Sequence, residues 1–168
     1  ETFDADLGTW TAVSGTWEGE GTGVVTVTED DGWGLLLSPE GFYEGRLAAK
    51  VTSDDWGGHA TNGALIFDYE DGENYRFAQL RPSEGPGEWA LSECVNGAVT
   101  HAATVTASLS TGVPYTCAVV VEGSVAALVV SGTTVVTYDY GTGSESEVVG
   151  ASSAMRMVWT ARARALRR

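Results

Sequence analysis

Valine and threonine together supply 39 of the 168 residues, and the runs rich in them are cut apart by dipeptides that favour tight turns. Asp71-Gly72 lies between Ala64–Tyr69 and Tyr75–Arg81, Asn96-Gly97 between Glu88–Val95 and Ala98–Thr106, and Ser131-Gly132 between two valine-rich runs. β-Branched side chains suit a pleated, half-buried surface, and each dipeptide supplies the positive φ of a two-residue hairpin turn. The pattern predicts an all-β chain built from antiparallel hairpins.

Strand signals recur from Trp10–Val13 to Met155–Ala165 at a spacing that suits a two-sheet antiparallel β-sandwich, and helical periodicity is weak throughout. No internal repeat is visible. The longest loop-like stretch, Gly141–Glu147, is too short to separate domains, so residues 1–168 are expected to form one domain. Within it, residues 156–168 form a basic C-terminal strand or tail.

Apolar residues are 43% of the chain and charged residues 19%, enough to bury a core. The formal charge is −14, but its distribution is uneven. Five of nine basic residues (Arg156, Arg162, Arg164, Arg167 and Arg168) fall at the end, leaving residues 1–155 with 4 basic and 23 acidic groups. Nucleic acid is therefore not expected as a partner, and anionic membrane surfaces are disfavoured. No run of eighteen apolar residues exists, so membrane insertion is not expected either. The chain opens at Glu1 and reads as a mature product or an excised domain of an extracellular, secreted or cell-surface protein. Cys94 and Cys117, on two expected strands of such a domain, predict a disulfide, with two buried reduced thiols as the alternative.

Four stretches carry a resemblance. The opening Phe3-Asp4-Ala5-Asp6-Leu7-Gly8-Thr9-Trp10 with Ser14-Gly15-Thr16-Trp17 is the first, and Phe42–Val51 is the second. Gly63-Ala64-Leu65-Ile66-Phe67-Asp68-Tyr69 with Asn74-Tyr75-Arg76-Phe77 is the third and most specific, and Tyr115–Glu122 with Ala126–Val130 is the fourth. Their order resembles the concanavalin A-like lectin/glucanase jelly roll, in the laminin-G-like group of accessory modules of secreted bacterial proteins. The resemblance implies a jelly-roll sandwich; lectins, enzymes and protein-binding modules all use it. That family often closes on a strand with a Phe-Asp that helps hold a structural calcium, whereas Met155–Arg168 carries only arginines as charged groups.

Hydrolysis of glycosides needs two carboxylates facing one cleft, and no E-x-D-x-x-E string occurs. Glu18-Gly19-Glu20 has the right parity but reads as a solvated turn. His59 and His101 are the only histidines, and no G-x-S-x-G elbow accompanies them. Zinc motifs are absent. Asp4 and Asp6, or Asp30 and Asp31, offer paired oxygen ligands, so calcium at Asp4 and Asp6 is the one cofactor expected.

Sugar recognition calls for flat aromatic faces with polar groups around them for the hydroxyls. The loop Ser53–Asn62 has that inventory in Trp56, His59 and Asn62. Arg46 and Arg76 are rare cations on expected strands; they either point from the concave sheet face toward a ligand or pair across strands with Glu44 and Asp68. Trp89 either lines that face or packs in the core. The first reading is a non-catalytic carbohydrate-binding or adhesive module whose partner is a glycan or polysaccharide. The alternative is an assembly subunit making protein–protein contacts through sheet edges and the Arg-rich tail, and a glycoside hydrolase or lyase ranks third.

Overall fold

A computed structural model describes residues 10–19, 24–28, 33–37, 45–53, 55–56, 59–60, 62–82, 86–141, 150–154 and 157–161. Its strands are β1 (Thr11–Ser14), β2 (Thr16–Gly19), β3 (Val24–Thr28), β4 (Trp33–Leu37), β5 (Gly45–Ser53), β6 (Asp55–Trp56), β7 (His59–Ala60) and β8 (Asn62–Asp71). They continue as β9 (Asn74–Arg81), β10 (Glu88–Val95), β11 (Ala98–Thr106), β12 (Tyr115–Glu122), β13 (Val125–Val130), β14 (Thr133–Asp139), β15 (Gly150–Ala154) and β16 (Met157–Ala161). No helix occurs among the described residues. None is therefore long and apolar enough to cross a membrane.

Two seven-stranded antiparallel sheets form the sandwich. Sheet A runs β1-β4-β15-β8-β9-β10-β11 and sheet B runs β14-β13-β12-β5-β16-β3-β2; β6 and β7 pair only with each other. The phrase Ser14-Gly15-Thr16-Trp17 is the corner where the chain leaves one sheet for the other. Gly15 takes φ 84 there. The Trp17 indole N–H donates to the Ser14 carbonyl at 2.8 Å, and the Ser14 hydroxyl accepts from the Leu35 amide at 3.1 Å.

The hairpin dipeptides behave in two ways. Asn96-Gly97 and Ser131-Gly132 have positive φ at both residues, as a two-residue turn between twisted strands requires. Asp71-Gly72 joins β8 to β9 without positive φ at either residue. Its turn is closed instead by the Asp71 carboxylate, which accepts from the Glu73 amide at 2.7 Å and from the Asn74 side-chain amide. Those bonds hold the Asp71 carboxyl below the usual carboxylate range.

Alternation along the strands sends one set of side chains between the sheets. Leu36, Leu65, Phe67, Leu80, Trp89 and Leu91 from sheet A meet Trp17, Leu47, Val51, Val119, Val121 and Leu128 from sheet B. The opposite parity in sheet A gives a second buried cluster, Leu35, Ala64, Ile66, Tyr75, Phe77 and Cys94, on the face turned away from sheet B. Sheet A is thus buried on both faces, and its outward face keeps contact with solvent at the Arg81–Glu88 pair.

The expected disulfide is corrected. Cys94 lies on β10 within the outward cluster of sheet A, and Cys117 lies on β12 within the core between the sheets. Both are buried free thiols, because the pair is divided between two sheets and two faces.

Candidate functional site

The outward face of sheet A can be read strand by strand from its register. On β9 it presents Tyr75, Phe77, Gln79 and Arg81, alternating with Ala78 and Leu80 of the core. Cross-strand pairs place Glu88 opposite Arg81, Ala90 opposite Gln79, Ser92 opposite Phe77 and Cys94 opposite Tyr75. On β8, Ala64 faces Gln79 and Ile66 faces Phe77. Asn62 stands one position beyond the Gly63–Leu80 pair, beside Arg81 across the ladder. Ala154 is paired with both Asn62 and Trp33, so the β4 backbone brings Trp33 into the same transverse row.

The face has an aromatic end and a polar end. At the first, the Tyr69 and Tyr75 rings stack with centroids 6.2 Å apart, and Tyr75 meets Phe77 at 5.5 Å. At the other, Arg81 is ion-paired with Glu88; the two side chains keep 28% and 30% exposure, so the pair is open to solvent. Gly87 sets the entry of β10 at Glu88: a Cβ there would stand 2.8 Å from the Leu109 Cβ. The Gly87 carbonyl also accepts from the Ala107 amide at 2.7 Å.

A register shift between Leu91 and Ser92 leaves Ala102 as an extra residue in β11, and this puts His101 opposite Ser92 on the outward face. The His101 Nδ1 and the Ser92 hydroxyl are hydrogen-bonded at 2.9 Å. Burial, and secondarily the Arg81 charge, lower the His101 pKa from its ordinary 6.5, so the imidazole is neutral at neutral pH.

The expected ligand residues disperse over four places. Asn62 lies in the polar row. Trp56 and His59 are paired in backbone register in the β6–β7 hairpin, which the chain enters from β5 and leaves for Asn62. Arg46 is exposed on sheet B, on the face away from the core, since its neighbours Leu47 and Ala49 point inward. It is therefore not part of the row.

Arg76 is corrected from a ligand contact to a structural one. It shares the core-facing parity of Ala78, pairs with the Asp68 carboxylate at 2.8 Å, and lies 4.5 Å over the Tyr140 ring. Cross-strand pairing with Asp68 was one of its two expected roles. Trp89 likewise belongs to the core, 5% exposed with Tyr115 edge-on at 5.3 Å, because its parity is that of Leu91. Asp4 and Asp6, as well as Asp30 and Asp31, lie outside the described residues. Among the described residues no group of three or more His, Cys, Asp or Glu could hold a metal ion.

Arg81, Glu88, Gln79 and Trp33 escaped the sequence reading. Arg81 and Glu88 are separated by a Pro/Gly loop, and only their strand-end positions signalled that a hairpin would oppose them.

No family model matches the chain. No curated protein sequence does either. Among solved structures, the carbohydrate-binding module CBM66 from Bacillus subtilis superposes with a TM-score of 0.74 at 19% identity, over 90% of this chain and 92% of that one. A Bacillus licheniformis β-glucanase gives 0.70 at 11% identity, over 95% and 94% of the two chains. A prokaryotic β-1,3-1,4-glucanase (lichenase) from a mouse hindgut metagenome gives 0.61 at 12% identity, over 96% and 98%. The chain has the concanavalin A-like jelly-roll fold that the sequence resemblance implied. At these identities the likeness concerns the fold, and function rests on the site.

Proposed function

We propose that the protein is a non-catalytic carbohydrate-binding module of a secreted or cell-surface protein, and that it takes a glycan on the outward face of sheet A. The observation that carries this reading is the row Asn62, Arg81 and Glu88, with the Trp56 hairpin leading directly into Asn62. Amide, guanidinium and carboxylate groups together offer donors and acceptors in the mixture that vicinal hydroxyls match. The similarity to a carbohydrate-binding module of nearly equal length supports the same reading.

The similarity to glucanases raises hydrolysis as the competitor. Two carboxylates about 5–10 Å apart are the chemical requirement. In the described polar row the carboxylate is Glu88, and it is ion-paired with Arg81. The alternate positions of β9, where a pair could share one strand face, read Tyr75, Phe77, Gln79 and Arg81. Binding without turnover is the function this arrangement supports.

A glycan array compares wild type with Asn62→Ala and Trp56→Ala. Wild type is expected to retain a defined set of glycans and both variants to lose about tenfold in affinity. Unchanged binding by both variants removes the site from this face.

A further inference from the structure

On the outward face Gln79 is the first buried position inward from the half-buried Arg81–Glu88 pair, two residues or about 7 Å along β9. It is 2% exposed, and its side-chain carbonyl Oε1 has no hydrogen-bond partner. Its neighbours across the ladder on both sides are alanines, Ala64 and Ala90, both buried. Short side chains thus stand on either hand of the amide. A buried acceptor without a partner destabilises a fold, so its position calls for a reason. The other such atom among the described residues, Ser53 Oγ, lies on β5 with the core-facing parity of Val51, away from this row.

We propose that Gln79 is the specificity-determining residue of the glycan site, its carbonyl accepting a hydrogen bond from a ligand hydroxyl that enters past Arg81. The inference rests on the carbohydrate-binding reading above and adds the class of sugar. A carbonyl oxygen and an ionised carboxylate only accept, so Gln79 and Glu88 together demand a group that donates. A hydroxyl meets that demand; a carboxylate, a sulfate or an ether oxygen does not. The group met at this position is therefore a hydroxyl, and with the net charge of −14 opposing polyanions the ligand is a neutral glycan.

The test uses affinity electrophoresis of the whole chain in gels containing barley β-glucan, inulin, xylan, galactomannan or polygalacturonate, with thermal melts alongside. The neutral polysaccharide that retards wild type most is then used with Gln79→Met, Gln79→Leu and Arg81→Ala. Removing the orphan carbonyl is expected to raise Tm by about 3 °C or more in both Gln79 variants. It is expected to weaken binding about tenfold or more at the same time. Wild-type affinity in a Gln79 variant overturns the assignment; if Arg81→Ala has meanwhile lost binding, the site itself stands. Lower Tm in both Gln79 variants shows that the carbonyl is satisfied within the fold and also overturns it. Strongest retardation by polygalacturonate refutes the neutral class of ligand, and no retardation in any gel removes the carbohydrate-binding reading along with it.

Discussion

Arg76 and Arg81 are five residues apart on one strand, and their parity separates their roles. Arg76 faces inward, where Asp68, at positive φ 54 next to a register shift, can reach it. Tyr140 completes the arrangement: its ring lies under the guanidinium and edge-on to Phe67, and its hydroxyl donates to the Ser92 carbonyl at 3.2 Å. Replacing Arg76 by Ala leaves a half-buried carboxylate without its cation and should cost about 2 kcal/mol in denaturant unfolding, with glycan affinity unchanged. Loss of affinity in a fully folded Arg76→Ala protein would return that residue to the binding site.

His101 supplies a pH-dependent prediction at the same scale. Its folded pKa is lowered below 6.5, so as pH falls the unfolded chain takes up the proton first. Stability is full above 6.5 and declines as pH drops below it. Thermal melts between pH 7 and 5.5 should show Tm falling with acid, and His101→Gln should flatten that slope. An identical slope in the variant would show that His101 does not carry it. Residue chemistry was partly legible beforehand: pairing with Asp68 was one of the two roles expected of Arg76. Gln79 was not legible, since a glutamine between alanines in an apolar run carries no signal until the register shows that nothing meets it.

Among elements, the hairpins from β8 to β14 follow their turn dipeptides and β-branched runs, and the C-terminal strand forms at Met157–Ala161 within the expected Met155–Ala165. β15 escaped notice, as did the short β6 and β7 within the expected Ser53–Asn62 loop. The β15 sequence, Gly-Ala-Ser-Ser-Ala, has no β-branched residue, and its strand character comes from β4 and β8, which pair with it on either side. The disulfide was misread because spacing along the chain does not reveal which sheet a strand joins.

That correction yields a chemical prediction. Burial pushes the Cys117 thiol up to about 12, and burial also raises Cys94. In the native protein at pH 8 neither should react with Ellman's reagent within minutes, and two thiols should titrate once guanidinium unfolds the chain. No reactive thiol after unfolding without reductant would restore the disulfide.

For the whole molecule, the −14 charge combines with the two sheets to give unlike surfaces. Sheet B turns Arg46 and Lys50 outward, both exposed, among Thr, Ala and Val. Sheet A turns outward a buried apolar cluster that ends in the Arg81–Glu88 pair. The acidity of the chain opposes polyanionic partners at either face, which agrees with a neutral ligand. The central claim is that the glycan sits on the outward face of sheet A. Affinity electrophoresis of Arg81→Ala beside Arg46→Ala, one charge removed from each sheet, tests it most directly. The account predicts that Arg81→Ala loses retardation by the glycan that wild type prefers while Arg46→Ala keeps it; retardation lost by Arg46→Ala and kept by Arg81→Ala would contradict it.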